Sequence, residues 1–297
     1  MLRIKLVIVA AMAIATAVGV ALWWSATWQP QKTGQISEEL FKVEKVDVNE
    51  LRQKVKRVWT RDNYSRFVEI EFSIDVAPVR NFTLRPGYYA YETAVVPLSD
   101  GAMYSRYEFN VTQTPHGYEI LDVAYTNILQ GQRVIKGLPM VTHWRVVNNT
   151  LYLLYSYSGE DMYVEELPIR PGSCTEFDSM LPVAPSIWPY VREGAVVRTR
   201  HVTNVTDLRL NISAYTEVTA TFKIDKKLVE CAGPSGRCYV VEMERKIRSK
   251  DASGKESFSH YRHVYLIDLS GVVVQARSYN LRAPGGPASE INLVEWR

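Results

Sequence analysis

An uncharged run of nineteen residues, Leu6 to Trp24, limits what this chain can become. At roughly 1.5 Å per residue, about 20 apolar residues in a helix span a hydrocarbon core about 30 Å thick. Arg3 and Lys5 precede the run, and the next basic residue is Lys32. Positive flanking charge favours the cytoplasmic side, so the N-terminus is expected inside and the remaining chain outside. Trp23, Trp24 and Trp28 then fall at the interface, where an indole is well placed. The expectation is a signal-anchor over residues 1–28 and a single-pass protein of the cell membrane with an extracytoplasmic C-terminal part. A cleaved signal peptide competes with it, because Ala15-Thr16-Ala17 and Gly19-Val20-Ala21 both supply small residues for cleavage.

Beyond this run the pattern changes to that of a mainly β protein, with 18 Tyr and many Val and Thr. In Arg66 to Val76, apolar Val68, Ile70, Phe72 and Ile74 alternate with Glu69, Glu71, Ser73 and Asp75, the period of a half-buried strand. Similar segments follow at Tyr88–Val96, Tyr104–Thr112, Tyr118–Asn127, Val141–Val147, Leu151–Tyr157 and Tyr163–Ile169, separated by short Gly-, Pro- and Asp-containing turns. Further strands are expected at Gly194–Thr203, Leu208–Tyr215, Thr216–Ile224, Cys238–Arg248, Phe258–Leu269, Val272–Tyr279 and Ile291–Trp296. Short connections between neighbours predict antiparallel meander sheets, as a sandwich or a curved half-barrel. One or two short helices are expected, the clearer over Val48–Trp59 behind an Asp47 cap with Glu50 at capping-box spacing. Its basic residues Arg52, Lys54, Lys56 and Arg57 suit the solvated face of a helix covering a sheet. The implied organisation is a linker and short helix over 29–62, a first β domain over 63–170, a proline-rich linker over 171–190 and a second β domain over 191–297. A loop crossing one mouth of the sheet is the other reading of 171–190.

Six of eleven asparagines open an Asn-x-Ser/Thr acceptor: Asn63, Asn81, Asn110, Asn148, Asn204 and Asn211. N-linked glycans are added outside the cytoplasm and mark exposed positions, which agrees with export. Asn148-Asn149 also reads as a two-residue hairpin turn, since Asn tolerates positive φ. Three cysteines allow three single pairings. Cys231–Cys238, bracketing Ala232-Gly233-Pro234-Ser235-Gly236-Arg237, is the expected disulfide across a hairpin tip, which leaves Cys174 as a small buried thiol.

The net charge is +3, and removing Arg3 and Lys5 leaves +1 for the exported part, so nothing draws it to nucleic acid. No nucleophile elbow, HExxH, phosphate loop, dinucleotide fingerprint or EF-hand loop is present, so no catalytic, cofactor or metal residue is assigned. His260 and His263 are three apart on a strand and point to opposite faces. The acidic pairs Glu160-Asp161 and Glu165-Glu166 are expected to face solvent.

The segment Tyr261-Arg-His-Val-Tyr-Leu-Ile-Asp-Leu-Ser-Gly-Val-Val-Val-Gln275 resembles a strand–turn–strand of the lipoprotein-carrier-like half-barrel superfamily. That resemblance implies an antiparallel sheet with an apolar concave face, a plug supplied by helix Val48–Trp59, and a lipid-like ligand. Three functions follow in order: a membrane-held, glycosylated surface interaction or structural module facing an envelope protein partner; a carrier or sensor of an apolar ligand; and an envelope filament subunit with its signal removed. An enzyme ranks last.

Overall fold

A computed structural model describes residues 38–98, 101–173, 181–282 and 289–297. The anchor segment and Cys174 lie outside the described residues. Among those described, no helix is long and apolar enough to cross a membrane.

A 3₁₀ turn at Glu38–Phe41 and helix α1 (Val48–Gln53) lead into the strands. The first are β1 (Arg57–Thr60), β2 (Ser65–Ile74), β3 (Gly87–Thr93), β4 (Val96–Leu98), β5 (Gly101–Thr114) and β6 (Gly117–Gln130). Then come β7 (Arg133–Lys136), β8 (Met140–Val147), β9 (Thr150–Ser158) and β10 (Asp161–Ile169). After a 3₁₀ turn at Trp188–Tyr190, the remainder is β11 (Val196–Asp207), β12 (Ile212–Ile224), β13 (Val229–Glu230), β14 (Arg237–Asp251), β15 (Glu256–Asp268), β16 (Val273–Asn280) and β17 (Ser289–Trp296).

Two antiparallel meanders are visible, β5–β6–β8–β9–β10 and β11–β12–β14–β15–β16–β17. They do not stand apart. β3 bridges β5 to β17, and β2 lies along β11. One continuous sheet therefore curls into a nearly closed barrel, with β1–β10 at one margin and β2 at the other. The strand segments before and after 171–190 share this sheet and one apolar core, to which Tyr91, Phe109, Trp144 and Leu153 contribute from one side and Phe222, Val241 and Ile267 from the other. The segments expected separately at Leu208–Tyr215 and Thr216–Ile224 join as β12 after a turn at 208–211.

The proline-rich stretch is the main correction to the expected organisation. Every residue from 181 to 189 is buried, and Leu181, Val183, Ala184, Ile187, Trp188 and Val191 belong to the central core. It is an interior plug over that span, not an exposed linker. Proline suits such a place because it carries no N–H that would need a partner away from water. The carbonyls are used: Val273 N donates to Pro182 O (2.8 Å), Trp188 N to Pro185 O (2.9 Å) and Val79 N to Pro189 O (2.8 Å). The Arg80 guanidinium stacks on the Trp188 ring at 4.4 Å, and Gly271 presses against the indole so closely that a Cβ there would lie 2.8 Å from Nε1.

The expected helix Val48–Trp59 stops early. The Asp47 side chain accepts from Asn49 N (2.8 Å) and starts it, but α1 ends at Gln53. Arg57–Thr60 instead pairs in parallel with Asp161–Val164, a long-range ladder that overrides the local helical period. Nor does the helix plug the sheet: Leu51 packs on the outer face against Val123, Tyr125, Val141 and Tyr157.

If the plug holds the barrel together, Trp188→Ala should remove about 3–5 kcal/mol of unfolding free energy. Denaturant titration should still show a single transition, because both meanders lose the same core.

Candidate functional site

Three arrangements carry chemistry-bearing side chains: the exposed acceptor asparagines, the disulfide hairpin, and the polar groups along the barrel seam and interior.

All six acceptor asparagines are exposed. Asn63 sits in the turn between β1 and β2, Asn204 on β11, and Asn211 (φ 52°) in the β11–β12 turn. On the sheet these three fall together, since Ser65 pairs with Asp207 and Val68 with Asn204. Asn81 and Asn148 meet elsewhere: Asn149 Nδ2 donates to Asn81 Oδ1 (2.7 Å), and both line a shallow groove of about 430 Å³. Asn148 and Asn149 have φ of 49° and 61°, the left-handed pair that the β8–β9 hairpin turn requires.

Cys231 and Cys238 are bonded, with Cα atoms 5.9 Å apart. What the sequence did not reveal is the buried carboxylate beside them. Asp268 Oδ2 accepts from Ser235 N (2.9 Å) and Ser235 Oγ (2.7 Å), while Oδ1 accepts from Ser270 N (2.8 Å). One side chain thus ties the hairpin tip to the β15–β16 turn, inside the segment that resembles the half-barrel superfamily. Gly233 passes directly over it, where a Cβ would come 2.6 Å from Oδ2.

The barrel closes between β10 and β2 through side chains rather than a strand ladder. At one end the Arg209 guanidinium lies over the rings of Trp59, Tyr64 and Tyr163 at 5.4, 5.4 and 5.6 Å. At the other, Arg170 stacks on Phe72 (5.3 Å) and approaches Glu69 Oε2 (3.9 Å), which also bonds buried His201 Nε2 (2.9 Å). Burial lowers the His201 pKa despite that carboxylate. Of the acidic residues expected to face solvent, Glu160 and Glu166 are exposed, while Asp161 and Glu165 are half-buried here. Asp161 Oδ1 accepts from Arg57 Nε and Trp59 Nε1, both at 2.7 Å, and these bonds outweigh burial to hold its carboxyl below the ordinary range. Glu160 pairs with Lys56 (2.6 Å). Glu165 is half-buried within a bulge of β10, and burial pushes its carboxyl up to about 7 against the opposing field of Arg61. None of these partners lies near in sequence, so periodicity alone could not find them.

Inside the barrel, Asp122 faces the core from β6, and burial drives its carboxyl well above the ordinary value. From the second meander Arg245 and His263 face inward, while His260 points outward to Glu244 Oε1 (2.8 Å), as the strand period requires. Burial, and then the Arg245 charge, hold the His263 imidazole well below its ordinary pKa. Among the described residues, a groove of about 300 Å³ lined by Val76, Pro78, Val79, Tyr190 and Val197 opens at the surface.

No known family model matches the chain, and no curated protein matches it. A solved structure of a "putative lipoprotein" from Parabacteroides distasonis aligns over 73% of this chain and 97% of its own, at 9% identity and a TM-score of 0.37.

Glu165 gives a directional test. Its folded pKa lies above the unfolded value, so the folded state binds the extra proton, and stability falls as pH rises from about 4.5 to about 7. Glu165→Gln should therefore be more stable than the native chain at about pH 8, by on the order of 1–3 kcal/mol, and nearly equal to it at about pH 4. Thermal midpoints across that range check the crossover.

Proposed function

We propose that this chain is a membrane-anchored, extracytoplasmic, N-glycosylated β module that works as a cell-surface interaction or structural protein. The carrying observation is the placement of the acceptors: six asparagines spread from Asn63 to Asn211, every one exposed on the folded surface. The Cys231–Cys238 bridge supports the same compartment, because such bonds persist outside the reducing cytosol. The uncharged run at Leu6–Trp24 supplies the tether in this reading, with Arg3 and Lys5 retained inside.

The filled interior also favours a scaffold over a carrier. Trp144, Trp188, Tyr89, Tyr91 and Phe109 are fully buried together with the proline-rich plug, so the chain itself occupies the space a lipid-like ligand would need. The carrier alternative rests on the apolar groove beside Tyr190, which at about 300 Å³ is at the small end for a ligand site and is open to solvent. An interaction module instead offers its outer surface to a partner in the envelope.

Intact mass and N-terminal sequencing of protein purified from its native membrane test the reading. A start before Leu6 with added hexose mass is expected, and each Asn→Gln change at an occupied acceptor should remove one glycan mass. A start between Leu22 and Thr27 would sink the tether, and an unmodified mass would sink the glycosylated assignment.

A further inference from the structure

Arg245 is a charge in an unusual place. It is only 6% exposed, on the inward face of β14. Guanidinium stays protonated at any ordinary pH, so burial cannot neutralise it as it can a carboxyl or an imidazole. A buried cation is costly unless an anion compensates it. Among the described residues none does. Its Nη1 donates to Ser173 O at a long 3.3 Å, and its guanidinium lies over the Tyr261 ring at 5.7 Å. Its Nε has no hydrogen-bond partner. Asp122, the buried carboxyl of the other meander, forms no ion pair with it, and burial keeps that group from serving as a counter-charge.

Two further unpartnered groups share the neighbourhood. Thr199, Ala220, Arg245 and Tyr261 stand in one cross-strand row, and Asn280 continues it towards half-exposed β16. Thr199 Oγ1, on a residue 5% exposed, is unbonded. His263, also 5% exposed, stands on the adjacent inward row of β15, and its Nε2 is likewise unbonded. Ala220 leaves a gap in the row that Gly172 enters, so closely that a Cβ there would meet Thr199 Oγ1 at 2.8 Å. The backbone at 172–173 thus passes over the row, leaving the Nε side of Arg245 unpaired.

We infer that this inward row is an anion-binding site, in which the Nε edge of Arg245 holds a small oxyanion, a carboxylate or phosphate, with His263 Nε2 beside it. The side-on edge of a guanidinium presents two parallel N–H groups, Nε and Nη2, which match two oxygens of a carboxylate or phosphate. Bound there, the anion neutralises this buried cation and gives His263 a polar partner. The site is distinct from the surface role proposed above and does not depend on the tether or the glycans.

The test is thermal unfolding of the full chain against acetate and against inorganic phosphate, each exchanged for chloride at constant ionic strength. A ligand that binds only the folded state raises the midpoint in a saturable way. The expected result is such a rise for at least one of the two anions, abolished in Arg245→Met and weakened about tenfold in apparent affinity in His263→Phe. If both respond, the shared oxyanion is what the site reads; if only acetate responds, the natural ligand is a carboxylate, and if only phosphate, a phosphate. Should Arg245→Met fail to fold, the weakened response of His263→Phe carries the test. A midpoint indifferent to both anions, or a response that persists unchanged in Arg245→Met, overturns the site.

Discussion

The buried proline-rich plug is the constraint on which the rest of the architecture depends. A sheet that curls through this many strands encloses more space than inward side chains from its strands can fill. Something must occupy the centre, and an irregular segment brings backbone polar groups that are costly to bury. Residues 181–191 meet both conditions. Pro182, Pro185 and Pro189 remove three donors, and their carbonyls accept from Val273, Trp188 and Val79. The donating partners come from β2's exit, from the plug itself and from β16, so one segment bonds beside a margin strand and within the second meander.

From that plug the two-meander layout acquires its unity. β3–β17 and β2–β11 join the halves by hydrogen bonds, but Trp188, Ile187 and Leu181 give the halves a common apolar surface. No backbone ladder pairs β10 with β2 among the described residues, and side chains complete the seam. Arg209 over the rings of Trp59, Tyr64 and Tyr163, and Arg170 on Phe72, are cation–π contacts that link the two margins without a backbone ladder. A closure of this kind is chemically tunable in a way that a ladder is not, because half-buried Glu165 sits inside it with a pKa of about 7.

Much of the strand pattern was legible from alternation, because most strands have one face on a shared core and one in water. The alternation read in Arg66–Val76 breaks at the bulge opposite Val202–Thr203, which leaves Val68 and Ile70 exposed while Phe67, Phe72 and Ile74 are half-buried. The hairpin at Asn148–Asn149 and the Cys231–Cys238 pair were legible as well, since both depend on neighbours within a few residues. The failures have a common cause. Helix Val48–Trp59 was cut short by a parallel partner more than a hundred residues away, at Asp161–Val164. The stretch 171–190 announced through its prolines that it could not join a ladder, but a missing donor permits a surface loop and a buried plug equally. Glu165, Asp161 and Asp268 acquire partners only through the fold, so neighbouring residues gave no hint that one would be pushed up, one held down and one would fasten two turns together.

The outer surface follows a logic complementary to the inner one. On β14–β17 outward charges pair with opposite sign across strands, as Glu242 with Arg262, Arg248 with Glu256, and Glu290 with Arg277. Such ladders keep a sheet face wet without any covering group, although each exposed pair contributes little to stability. On β2–β12 the face is different. Val68 is 54% and Ile70 52% exposed, and Tyr215 lies two strands across from Val68. Asn204 stands between Val68 and Tyr215 in register, on a margin strand pair where uncovered apolar surface invites association. Asn204 is thus the polar side chain placed between the two exposed apolar residues of this margin, where β14–β17 instead relies on paired charges to keep its face wet.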